Sequence, residues 1–173
     1  MKKISLMAPV VVALLAAPVF AGTATNNLTV QTTVVANCTV SAATLNFGNY
    51  DPLVTHAATD LAASQALTIK CTKGTAATSI DLNNGGNFSG GTRRMAIGGG
   101  GSFLNYEIYK EAAHTNIWTT GATNGVVPAA STSKDSALTF SGGTALTVFG
   151  LVPQNQDVTT GSYSDTVSIT INF

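Results

Sequence analysis

The sequence predicts an all-β fold, a sandwich or a barrel. Short alternating runs of apolar and polar residues recur along it, divided by Gly, Asn and Thr clusters. No segment sustains the apolar period of a helix. The end of the chain alternates most clearly. Val167, Ile169, Ile171 and Phe173 point one way, and Thr166, Ser168, Thr170 and Asn172 point the other.

The elements follow in chain order. Residues 1–21 read as an export signal: Lys2 and Lys3, an apolar stretch from Met7 to Ala17, then Val19-Phe20-Ala21 as a cleavage site. That apolar run is too short for a comfortable membrane span. Residues 22–37 form an N-terminal extension, in which Leu28, Val30, Thr32 and Val34 alternate with Thr29, Gln31 and Thr33. Residues 38–173 read as one domain with no internal repeat or linker.

Within that domain Val40 to Phe47 is a strand, closed by the turn signal Gly48-Asn-Tyr-Asp-Pro52. Residues 57–66 suit a helical turn. Ala66–Thr72, Thr78–Leu82, Arg93–Ile97 and Leu104–Tyr109 read as strands, and Ile117-Trp118 as a brief pairing. Gly98 to Gly101 is a flexible turn. It lacks the Lys-Ser/Thr and the helix of a phosphate loop. Residues 120–136 read as a polar loop, and 137–140 and 145–151 as further strands.

Without the signal, six basic residues face eight acids, so the mature chain carries about −2. That balance gives no electrostatic case for nucleic acid or anionic lipid. Charged residues make up only 9% of the chain, leaving a hydroxyl-rich surface suited to packing against copies of itself. Cys38 and Cys71 are the two cysteines of an exported chain, and an even pair there reads as one disulfide. Cys71 shares parity with Leu67 and Ile69, so it faces the core.

No catalytic constellation emerges, and no cofactor or metal is expected. His56 and His114 read as surface histidines. Arg93-Arg94 reads as a solvated strand end. Glu107 and Glu111 are four apart, but the first lies in a strand, so they need not share a face. Trp118, Tyr106 and Tyr109 read as packing residues, with sugar stacking as the rarer use.

Four motifs in order then resemble a family. They are Leu45-Asn-Phe-Gly-Asn-Tyr-Asp-Pro52, Leu67-Thr-Ile-Lys-Cys-Thr72, Leu104-Asn-Tyr-Glu-Ile-Tyr109 leading to Trp118, and Val148-Phe-Gly150 followed by Gly161-Ser-Tyr-Ser-Asp-Thr-Val167 and Phe173. Together they resemble the spore coat protein U domain, the subunit of archaic chaperone–usher pili. The resemblance implies an immunoglobulin-like β-sandwich lacking its last strand, with Cys38 bonded to Cys71. It implies a periplasmic chaperone, an outer-membrane usher, and polymerisation by donor-strand exchange into a cell-surface pilus. Leu28, Val30, Thr32 and Val34 would be the donor, and Val167, Ile169, Ile171 and Phe173 the acceptor groove edge. The expected role is structural, supporting adhesion and biofilm formation, with no enzymatic activity.

Two other readings compete. A small outer-membrane barrel also has a signal, alternating strands and a terminal Phe. It needs aromatic girdles, and the eleven aromatics left after cleavage do not cluster at strand ends. A secreted carbohydrate-binding sandwich would use Trp118, Tyr106 and Tyr109. Self-complementation by the chain's own extension stays open, because the same residues, 26–36, would serve either geometry.

Overall fold

Alternation of small and β-branched residues gives this chain many short strands, and they assemble around one apolar core. The computed structural model describes residues 21–41, 44–75, 77–120 and 146–173. The signal read at 1–21 (but for Ala21), the loop at 120–136 (but for Thr120), the strand at 137–140 and the start of the strand at 145 fall outside them.

Nine strands follow in chain order: β1 Cys38–Val40, β2 Leu61–Ala66, β3 Ile69–Cys71, β4 Ser79–Leu82, β5 Arg93–Ile97, β6 Phe103–Tyr109, β7 Thr147–Val152, β8 Tyr163–Ser164 and β9 Ile169–Asn172. The only helical element among the described residues is a 3-10 turn, Thr55–Ala57. Every ladder among the described residues is antiparallel. One sheet runs β2-β7-β6-β5-β8, and β1-β3 and β4-β9 form two shorter ones. The arrangement is sandwich-like, with Ile69, Ile80, Leu82, Trp118, Leu146 and Val152 buried between the sheets.

The residues divide into two units, 1–33 and 34–173. The described part of the first, 21–33, is exposed and outside any ladder. The second begins its own bonding at once. Thr72 donates its N–H to Asn37 and its hydroxyl to Val35. Cys38 and Cys71 then stand opposite each other across the β1–β3 ladder and are disulfide-bonded.

Residues 57–66 differ from the helical expectation. Only Thr55–Ala57 turns, and Leu61–Ala66 pairs with β7 along its whole length. Alanine carries little polarity contrast, so Ala62, Ala63 and Ala66 hide a period of two that the neighbouring strand imposes. The expected brief pairing near Trp118 is a single bridge, Tyr109 to Ile117. Gly99, Gly100 and Gly101 turn β5 into β6 with φ of 92°, 79° and 96°, a conformation that favours glycine.

Candidate functional site

β1 and β9 approach each other without forming a ladder, and among the described residues each is paired on one side only. Beyond that approach the sandwich opens. A groove of about 850 Å³ lies between residues 44–52 and residues 158–169. Its floor includes Leu67, Leu82, Met95, Leu104, Tyr106 and Ile108, and Leu45, Phe47, Val158, Val167 and Ile169 flank it. Protein interiors pack to crystal-like density. The described residues leave this space unfilled.

Parts of both flanks show strand pattern with no ladder among the described residues. Along 44–50 only Leu45, Phe47 and Tyr50 are half-buried. From Tyr163 to Ile171 every second residue is half-buried: Tyr163, Asp165, Val167, Ile169 and Ile171. Yet residues 44–50 and 165–168 carry no strand ladder. Strand pattern without strand bonding is what an edge looks like when its neighbour is absent.

Named contacts hold the flanks in place. The Tyr50 hydroxyl donates to Pro153 O at 2.9 Å and accepts from the Gln156 N–H at 2.9 Å. The Phe47 ring meets Tyr106 edge-on at 6.2 Å. Gly150 makes room beneath this flank. A Cβ there would sit 2.6 Å from Leu45 Cδ2 and from Phe47 Cζ.

Asp165 is the one charged residue of the described lining, which also carries neutral polar side chains such as Gln65, Thr159 and Thr166. The Tyr106 hydroxyl donates to Asp165 Oδ2 at 2.7 Å. Asp165 Oδ1 accepts from the Gly86 N–H at 2.8 Å and the Asn87 amide at 3.3 Å. Burial, and then the hydrogen bond to Asp165, push the Tyr106 hydroxyl far above its ordinary pKa, so it remains a donor. Gly85 lies against this carboxylate at φ 81°, where a Cβ would collide with Asp165.

The residues singled out in the sequence are distributed as follows. Val167 and Ile169 line the groove. Ile171 lies outside its lining, half-buried opposite Ile80. Phe173 is 53% exposed. In the extension Leu28, Val30 and Val34 are 89%, 85% and 77% exposed, and Thr32 is exposed too.

Two expectations need correction. His56 is buried rather than on the surface. It stacks on Tyr50 at 5.1 Å, and its Nδ1 donates to Thr59 O. Arg93 is 1% exposed rather than solvated. Its side chain bonds Asn83 O, Trp118 O and the Glu107 carboxylate, and Arg94 instead lies over the Phe103 ring. The signal was present in the sequence: Arg93 shares parity with inward Met95. Glu107 and Glu111 do separate. Glu111 accepts from the backbone and side chains of Thr115 and Asn116, bonds that hold its pKa below the usual carboxylate range. Trp118 and Tyr106 are core residues, at 0% and 4% exposure.

The model of the Spore Coat Protein U domain family matches residues 24–170. The chain belongs to that family. Protein U of Myxococcus xanthus is 33% identical over 171 residues, spanning 90% of this chain and 88% of that protein. Among solved structures the family member resembles a chain of the CsuC-CsuE chaperone-tip adhesion subunit pre-assembly complex, from archaic chaperone-usher Csu pili of Acinetobacter baumannii. The TM-score is 0.51 at 23% identity, over 82% of this chain. The likeness concerns the fold, and this chain spans 40% of the solved one.

Proposed function

We propose that this chain is a structural subunit of a chaperone–usher pilus that polymerises by donor-strand exchange. The supporting observation is the groove of about 850 Å³ between flanks in which residues 44–50 and 165–168 carry no ladder among the described residues. The extension supplies a segment of matching character. Leu28, Val30 and Val34 are large, exposed and on alternate positions, with Thr32 between them. Entering such a groove would add backbone bonds along both flanks and seat alternate side chains in the floor. Burying each large side chain is worth about 1.5–3 kcal/mol.

Donor and groove are different surfaces, so the contact is heterologous and grows into a filament. Val167 and Ile169, with Ile171 and Phe173 beyond them, form the acceptor edge in this reading. Residues 1–21 direct export, a periplasmic chaperone covers the groove before assembly, and an outer-membrane usher passes the subunits to the cell surface. The pilus then supports adhesion and biofilm formation. The rival sugar-binding use draws no support from Trp118, which is fully buried in the core.

Surface material sheared from cells and run on a denaturing gel tests this. The unboiled sample is expected to show a ladder that collapses to one band on boiling. A single unboiled band that merely shifts on boiling would remove the polymer reading.

A further inference from the structure

The inference rests on the donor-strand reading and adds the register of the donor. Four inward positions of the final segment line the groove: Tyr163, Asp165, Val167 and Ile169. The next, Ile171, lies outside the lining, where β1 and β9 close together. The groove edge is therefore four positions long, and its second position is a carboxylate. The extension also offers four alternate positions, Leu28, Val30, Thr32 and Val34, and its third is a hydroxyl.

Neither pattern is symmetric, so their match selects an orientation. Laid antiparallel in full overlap, Val34 meets Tyr163, Thr32 meets Asp165, Val30 meets Val167 and Leu28 meets Ile169. Laid parallel, Val30 meets Asp165 and Thr32 meets Val167, so the hydroxyl and the carboxylate each face an apolar side chain. An antiparallel slip of two residues places Val30 or Val34 on Asp165 and leaves one position unmatched. A slip of one residue turns every apolar side chain out of the groove.

We propose that Asp165 with Tyr106 is the register-fixing site of the groove, and that it receives the Thr32 hydroxyl of an antiparallel donor from a second copy. The chemistry is sufficient. Directly opposed side chains on neighbouring strands lie about 4.5–5.5 Å apart at Cβ. Asp165 Oδ2 accepts the Tyr106 hydroxyl, and a carboxylate oxygen can take a second donor. Thr32 has that donor. A buried polar pair is a weak source of affinity but a strong discriminator of register, as a single polar core position is in a coiled coil.

Intermolecular cross-linking in the full-length chain tests the register. Leu28→Cys with Ile169→Cys is expected to give a covalent ladder on boiled, non-reducing gels. Its yield should exceed, by about tenfold, that of Leu28→Cys with Tyr163→Cys (parallel) or with Val167→Cys (slipped). Val30→Cys with Val167→Cys reports the same register if Ile169→Cys fails to fold. Adding Thr32→Val should bring the correct and slipped yields towards equality.

A ladder from either control pair at equal yield overturns the register, as does a yield ratio untouched by Thr32→Val. A bridge confined to one chain, seen as a shifted monomer band, overturns the second-copy occupant. An unboiled wild-type ladder without the 28–169 cross-link overturns the register alone. Absence of the wild-type ladder overturns the donor-strand reading on which it rests.

Discussion

A guanidinium is costly inside an apolar sandwich unless its N–H groups find acceptors. Arg93 finds three: Asn83 O, Trp118 O at 2.7 Å and Glu107 Oε2 at 3.1 Å. Its own backbone N–H donates to Glu107 Oε1. One side chain thus ties β5 to β6, to the turn after β4 and to the strand end carrying Trp118. Arg93→Met should cost about 3–5 kcal/mol in urea unfolding, because Glu107 is left charged and half-enclosed. Adding Glu107→Leu should recover part of that loss and no more, since the two carbonyls stay unpaired. Full recovery would show that the carbonyl bonds contribute nothing. Composition favoured a solvated arginine here, and only strand parity pointed inward. His56 gave no such cue: its burial depends on Tyr50, which reaches it through a turn.

The elements were legible where side chains contrast and hidden where they do not. Val167 to Phe173 and Leu104 to Tyr109 could be read directly as strands, because apolar and polar residues alternate there. Leu61 to Ala66 could not, because alanine and serine blur the period and β7 decides the pairing. Residues 44–50 show a third case. Their pattern is that of a strand, but a ladder needs a neighbour that the described residues of this unit do not supply. The β1–β3 pair is the element most dependent on a covalent bond. β1 is three residues long, with one ladder partner among the described residues, and Cys38–Cys71 fastens it there. Replacing both cysteines by alanine should lower stability by about 2–5 kcal/mol, read by urea unfolding. A loss below about 1 kcal/mol would mean that the bonds of Thr72 to Val35 and Asn37 hold β1 unaided.

At the scale of the molecule, the groove could be inferred from sequence only through the family, because an opening leaves no residues to read. The alternation of the extension is visible in the sequence, and the proposed register gives its polar third position a counterpart in Asp165. These two surfaces make different demands on a variant, and that separates a polymer from a self-complemented monomer. Val30→Asp puts a charge on the donor while leaving the domain's groove unchanged, because Val30 lies in the exposed extension. Burying an unpaired carboxylate is far too costly for the strand to enter a groove. In a head-to-tail filament such a chain can accept a donor but cannot give one, so it ends growth on one side. Wild-type and Val30→Asp chains refolded together should therefore give shorter ladders than wild type alone, with mean length falling as the variant fraction rises. In a self-complemented monomer the substitution harms only its own molecule, and the wild-type species would be indifferent to the mixture. Ladder lengths that do not depend on the mixing ratio would count against head-to-tail exchange, whatever the register.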